Sequence, residues 1–300
     1  MARRVLRTVG DPSRRFAEDC LRVLRALRFA GTFRLDIEAD TWRALVRAVE
    51  NLGLLSSERL HEELQRVLAG AVPPSRSLAL YVASGVARSL YPELDRTVGC
   101  VREPGVEWFA HALETVDRIA RVRPDLRWAA LFHGVGEVAG QGKDEAGATR
   151  HTLTLLRAAA VLERLRASNA RIREIAEVAA LSSRPPAPEV SDAELRRWLA
   201  SAGRARLGSV LRIWSASVRA DEVRGWAGPG AHGRHGFRIL ATRLRRLARS
   251  DAPLRVEELD FSGRDLIRMG FAPGPHFGEV LRSLLDLALD DWYELRHMER

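Results

Sequence analysis

The sequence predicts an all-α protein, and three observations carry that prediction. Apolar residues recur at intervals of three and four along most of the 300-residue chain, no run of alternating β-branched residues is long enough for a core strand, and Pro, Gly and Ser cluster between the periodic stretches. From Arg14 to Glu50, Phe16, Leu21, Leu24, Leu27, Leu45, Val46 and Val49 keep that spacing while Gly31 to Asp36 interrupts it, so the stretch reads as two helices joined by a short loop. A third helix opens with Ser56 or Ser57 as N-cap, has Glu58, Glu62 and Glu63 near its positive end, and runs to about Leu68 before Pro73-Pro74 closes it. Further helices are expected at about 75–89, 106–121, 125–133, 148–167 and 169–181. The run from Ser183 to Pro188 holds three prolines and forms a stiff boundary. A Gly-rich segment from Gly228 to Gly236 then separates the helix of Trp214 and Trp226 from a basic helix at 237–249, and its His232 and His235 read as solvent-exposed.

Composition narrows the function. With 46% hydrophobic and 29% charged residues the chain is globular, neither disordered nor fibrous. No apolar run approaches the roughly 20 residues of a membrane span, and no secretory signal follows the first residues, so a cytoplasmic setting and no membrane partner are expected. Cys20 and Cys100 are too few for a disulfide framework or a four-ligand zinc site. Lys plus Arg number 48 against 39 Asp plus Glu, a net charge of +9, and Lys143 is the only lysine. Arginine forks suit phosphate oxygens, which makes a polyanion such as RNA the first partner to consider, although a GC-rich genome produces the same arginine bias. Arg14 and Arg15 at one end, and Arg243, Arg245 and Arg246 in the basic helix, are the candidate RNA contacts.

The most informative stretch runs from Thr8 to Ala30. Asp19, Arg22, Arg25 and Arg28 stand three residues apart, which on one helix places each beside the next. A carboxylate beside a planar guanidinium offers acceptors and donors together, as the edge of a nucleobase requires; the same spacing also makes ordinary helix salt bridges. Gly10-Asp11-Pro12, Arg15-Phe16, Glu18-Asp19-x-x-Arg22, Leu24-Arg25-Ala26 and Arg28-Phe29-Ala30, followed by Ser56-x-Glu58-Arg59 and Glu63-Leu64, resemble the neck of class II tRNA nucleotidyltransferases (CCA-adding enzymes) and bacterial poly(A) polymerases. The resemblance implies that Asp19 and Arg22 select the base of an incoming CTP or ATP. It implies that Arg25 and Arg28 contact phosphate or sugar, and that Glu18, Ser56, Glu58, Arg59 and Glu63 support the neck. Towards the C-terminus, Gly263-x-Asp265-Leu266, Gly270, Pro273-Gly274-Pro275 and Gly278 resemble the tail of the same family; physically, Gly270 suits a helix C-cap and the Pro-Gly-Pro a rigid turn. The expected architecture is therefore a neck over 1–72, a helical body over 73–187 and a tRNA-binding helical tail over 188–300, elongated in the manner of the family.

The body resembles an HD phosphohydrolase-like domain, with His111 and His133 as candidate remnants of its metal site. The site needs a His-Asp pair, yet Gly134 stands where the Asp belongs, Glu137 replaces a usual Lys, and a later histidine pair has become Leu181-Ser182-Ser183. Imidazoles without a carboxylate suit Mg or Mn poorly, so no metal is expected here, with His151 a leftover ligand of uncertain register. The Gly-Gly-x-Val-Arg-Asp loop and Asp-x-Asp pair of the family's catalytic head have no counterpart in the sequence, so no catalytic residue is assigned. The first expectation is accordingly a tRNA nucleotidyltransferase or poly(A) polymerase relative that binds RNA and selects nucleotides. By this reading it would be inactive alone, with CTP and ATP as substrates of the intact enzyme, Mg required by a head, and a separate head chain as an additional partner. A stand-alone RNA-binding module is the alternative, and a residual HD-type hydrolase the third reading.

Overall fold

A computed structural model of the chain describes residues 4–102, 105–138, 149–223 and 233–297; Lys143, Trp226 and His232 lie outside them. The fold is all-α. Among the described residues its strands are two pairs of two residues each: β1 (Val5–Leu6) runs parallel to β2 (Asp36–Ile37), and β3 (Val101–Arg102) antiparallel to β4 (Val106–Glu107). No described helix is long and apolar enough to cross a membrane.

The chain forms two compact units, Met1–Pro185 with Arg212–Gly228, and Pro186–Leu211 with Pro229–Arg300. The first opens with α1 (Pro12–Glu18), α2 (Leu21–Phe33), α3 (Ala39–Ala48) and α4 (Ser57–Leu68). Asp11 caps α1, its carboxylate accepting from the Arg14 amide at 2.7 Å, and Pro12 takes the first helical position, where no amide partner is lost. Ser56 is the N-cap of α4. Along α2, Leu21, Val23, Leu24, Leu27 and Ala30 are buried, and each fully buried leucine contributes about 2 kcal/mol of apolar burial.

Three sequence expectations change here. The stretch from Arg14 to Phe33 is two helices, because Asp19 leaves the helical region at φ −154°, ψ 99°, so Asp19 and Arg22 do not share one helix. Gly31 is no breaker: it is buried inside α2, where an added Cβ would come 2.7 Å from the Ser77 backbone nitrogen, and its bareness lets α2 lie close to α5 (Ser75–Ala83). The break comes at Arg34, left-handed at φ 53°, with the Leu35 amide bonded to Ala30 O. The helix expected over 75–89 is likewise split between α5 and α6 (Val86–Leu90).

The rest of this unit comprises α7 (Pro92–Asp95), α8 (Trp108–Asp117), α9 (Pro124–Phe132), α10 (Arg150–Arg164), α11 (Asn169–Ser182) and the part of α13 (Arg204–Val223) from Arg212 onward. Several arginines act inside it as connectors. Arg127 donates to Ile119 O at 2.8 Å and Leu68 O at 2.6 Å, and Arg157 to Val135 O at 2.6 Å and Val138 O at 2.8 Å, satisfying carbonyls at helix ends and loops.

The second unit holds α12 (Asp192–Ala202), the start of α13, α14 (Arg234–Arg249), α15 (Gly263–Arg268) and α16 (His276–His297) around Leu195, Leu199, Leu240, Leu244, Leu247 and Leu289. Gly270 follows α15 at φ 93°, with its amide on Ile267 O and the Phe271 amide on Leu266 O, the double closure that ends a helix on a left-handed glycine.

Candidate functional site

The α1–α2 junction and α4 assemble one charged surface. Asp19, released from α1, turns a carboxylate oxygen to the Leu21 amide at 3.2 Å and to the Arg59 guanidinium at 3.0 Å. Arg22, the second residue of α2, donates to Arg15 O at 2.8 Å and to Glu18 at 2.9 Å. Glu18 also receives Arg15 at 3.1 Å and lies 3.5 Å from Arg14. Hydrogen bonds from Arg22 and then Arg15 hold its carboxyl below the ordinary 4.5. Asp19, Arg22 and Arg25 all keep part of their side chains in solvent.

Behind that surface sits Glu63, only 1% exposed and ringed by guanidiniums. Arg28 Nε is 2.9 Å from one of its oxygens; Arg66 Nη1 is 2.8 Å, and Arg25 Nε 3.6 Å, from the other. One buried negative charge is thus shared by three cations, so the cluster is net positive while Glu63 is fully paired. Glu58 reaches Arg166 at 3.0 Å, and its own amide, Ser56 and then Arg166 hold its carboxyl low. The neck-support set is thereby spread: Arg59 and Glu63 touch the Asp19–Arg28 row directly, Glu18 bridges its arginines, and Glu58 faces Arg166.

In the second unit, Arg243 donates to Pro188 O and Val190 O, both at 2.6 Å, and to Asp192 at 2.6 and 3.0 Å, which ties the proline-rich segment to α14. Arg246 bonds the other Asp192 oxygen. Arg245 is exposed without an ion pair among the described residues, as are Arg238 and Arg249 on the same face of α14, two cations that sequence spacing had not singled out.

The body's histidines are deep in the first unit. His111, 0% exposed on α8, has Nδ1 2.9 Å from Asp221 Oδ1 and Nε2 3.0 Å from Ser217 Oγ, both partners from α13. His133 follows α9 with its ring 5.3 Å from that of His111 and Nδ1 2.6 Å from Ala130 O, and Trp108 meets both rings edge-on. An added Cβ at Gly134 would lie 2.5 Å from Cε3 of Trp108, so no side chain fits where the HD metal site needs its carboxylate. Both His111 nitrogens are engaged, His151 is exposed at the start of α10, and no group of three metal-ligating side chains occurs among the described residues; these residues do not fit an HD-type metal pair. Asp221 and Ser217, 110 and 106 positions from His111 in sequence, were invisible to a reading by motif.

The family model described as "Probable RNA and SrmB- binding site of polymerase A" matches residues 34–97. A CCA-adding enzyme of Leuconostoc mesenteroides is 42% identical over 132 residues, 44% of this chain and 30% of that protein. An A-adding tRNA nucleotidyltransferase of Deinococcus radiodurans is 29% identical over 311 aligned positions, 95% of this chain and 67% of that protein. The crystal structure of the Bacillus stearothermophilus CCA-adding enzyme in complex with CTP superimposes with a TM-score of 0.61 at 25% identity, covering 96% of this chain and 61% of that one. The chain thus spans between about a third and two thirds of the length of these three proteins. Similarity of sequence over the neck, and of sequence and fold over nearly the whole chain, is thus to tRNA nucleotidyltransferases and to the RNA-binding part of polymerase A.

Proposed function

We propose that this chain binds the 3′ region of an RNA, tRNA in the first instance, and selects CTP or ATP for addition to it, with 1–72 as neck, 73–187 as body and 188–300 as tail. The observation that carries the reading is the pairing at the α1–α2 junction: an acceptor-only carboxylate, Asp19, beside a donor-only guanidinium, Arg22, each steadied by a neighbour and each reaching solvent. Cytosine and adenine both present an exocyclic amine next to a ring-nitrogen acceptor, so Asp19 accepts from the amine and Arg22 donates to the ring nitrogen. Uracil and guanine present a carbonyl next to a ring N–H, which sets acceptor against acceptor and donor against donor. One Asp–Arg pair therefore admits C and A and refuses U and G. Arg25 and Arg28, held by Glu63 with a surplus of positive charge, supply the field for the triphosphate or the sugar.

The body contributes helices rather than hydrolysis, since the HD-type position is closed by Trp108. Arg14 and Arg15 beside the junction in the first unit, and the exposed Arg245 on α14 in the second, add to the attraction for phosphate, whereas Arg243 and Arg246 share Asp192 and contribute less. In nucleotide-binding measurements on the 300-residue chain, CTP and ATP are expected to bind about tenfold tighter than UTP or GTP, and Asp19→Ala or Arg22→Ala to erase that preference while tRNA affinity stays within about threefold. Equal affinity for all four nucleotides with intact RNA binding would refute base selection and leave an RNA-binding module.

A further inference from the structure

The solvent stripe of α2 contains two features that base selection does not use. Arg22, Arg25, Phe29 and Phe33 follow one another at intervals of three, four and four, so all four lie within one narrow arc of the helix. Phe29 is 39% and Phe33 55% exposed, and their ring centroids are 6.0 Å apart with planes tilted by 32°. The Arg28 guanidinium lies over Phe29, 4.5 Å from its centroid. Leu21, Leu24 and Leu27 fill the buried face, so the two rings are not part of the core that the described residues build.

We propose that Phe29 and Phe33 form a stacking platform for unpaired bases of a single-stranded RNA, a site that rests on the RNA-binding reading and adds to it a second point of contact. Charge commits the platform to this occupant. Arg34 directly follows Phe33; Arg4 and Arg7 flank β1, whose Arg4 carbonyl accepts from the Asp36 amide at 3.0 Å; all three arginines are exposed and without an ion pair among the described residues. Arg28 lies against Phe29 and Arg34 adjoins Phe33 in the chain, while β1 brings Arg4 beside Asp36, three residues beyond Phe33; flat apolar rings with cations on the same stretch are the combination that tracks a phosphate backbone while bases stack. A partner protein seeking an apolar face would find two rings set among guanidiniums, and a duplex would keep its bases out of reach. Phe29 stands seven residues from Arg22, about 10 Å along the axis at a rise of about 1.5 Å per residue. That is roughly three stacked nucleotides at about 3.4 Å each, so a strand can lie on the rings while a base is read at Asp19 and Arg22.

The test uses the full chain and a hexauridylate with one central 2-aminopurine, whose fluorescence falls when the base stacks. Wild type is expected to quench it, and Phe33→Leu and Phe29→Leu to bind about tenfold more weakly with the quench lost, Phe33→Trp restoring both. The same strand annealed to its complement should be bound without quenching. Leucine keeps the apolar volume and both positions are solvent-exposed, so a thermal melt matching wild type confirms that the variants fold. Quenching and affinity unchanged in both Leu variants would overturn the platform while the RNA-binding reading stands. No binding of tRNA or hexamer by the wild type would overturn both.

Discussion

Two polar clusters in the same unit show how differently similar chemistry can be used. At the α1–α2 junction, Asp19, Arg22 and Arg25 are paired yet partly in solvent, so each keeps a polar edge turned to water. Around His111, which lies edge-on to Trp108, both imidazole nitrogens are answered from within the fold, by Asp221 and Ser217. The first cluster can exchange protein partners for ligand at little loss, because pairs in water are worth little to stability. The second cannot open without leaving a buried charge unpaired. The difference teaches that a polar cluster open to a ligand and one used up by the fold are told apart by where the polar atoms could turn, and residue type alone does not decide it.

The sharpest way to break this contrast is at Gly134. Gly134→Asp restores the missing carboxylate in sequence, but its side chain must enter the space of Trp108; a loss of more than about 3 kcal/mol in urea unfolding is expected, with no Mn binding by calorimetry. A variant that folds as the wild type does and binds Mn would show that the body cluster is a site after all. Next in size is Glu63→Gln, which leaves Arg28 and Arg66 facing a neutral acceptor. About 2 kcal/mol should be lost, read from the same unfolding curves, and a change below about 0.5 kcal/mol would mean that the three arginines do not depend on it. The smallest effect concerns Glu18, whose folded carboxyl lies below its unfolded value through the bonds from Arg22 and Arg15. Its contribution to stability is therefore complete above the unfolded value near 4.5 and disappears as the pH falls through the lower folded one. In an NMR titration, Arg22→Ala should move the Glu18 midpoint up towards 4.5; an unmoved midpoint would separate the two side chains.

Periodicity was enough to read helices, and the caps at Ser56 and Gly270 followed from local backbone rules that need only neighbouring residues. Local rules also misled. Gly31 looked like a break because glycine usually is one, whereas its role depends on Ser77, 46 residues away. The row Asp19-Arg22-Arg25-Arg28 was visible as spacing, but the bend at Asp19 was not, since three-residue spacing is the same on either side of a capped junction. Arg243 looked like a phosphate contact from its company in a basic helix, and the structure engages it with two carbonyls and Asp192.

What the sequence by itself determined is the helical class, the family motif and the excess of arginine, because these are carried by residue type and short spacing. Only the tertiary structure decided which arginines face solvent and which clamp the fold, that Glu63 gathers three of them, and that Trp108 closes the position of Gly134. Those outcomes depend on side chains brought together from 35 or more residues apart in the chain for Arg28 and Glu63, and 110 for His111 and Asp221, and burial there sets the worth of a charge.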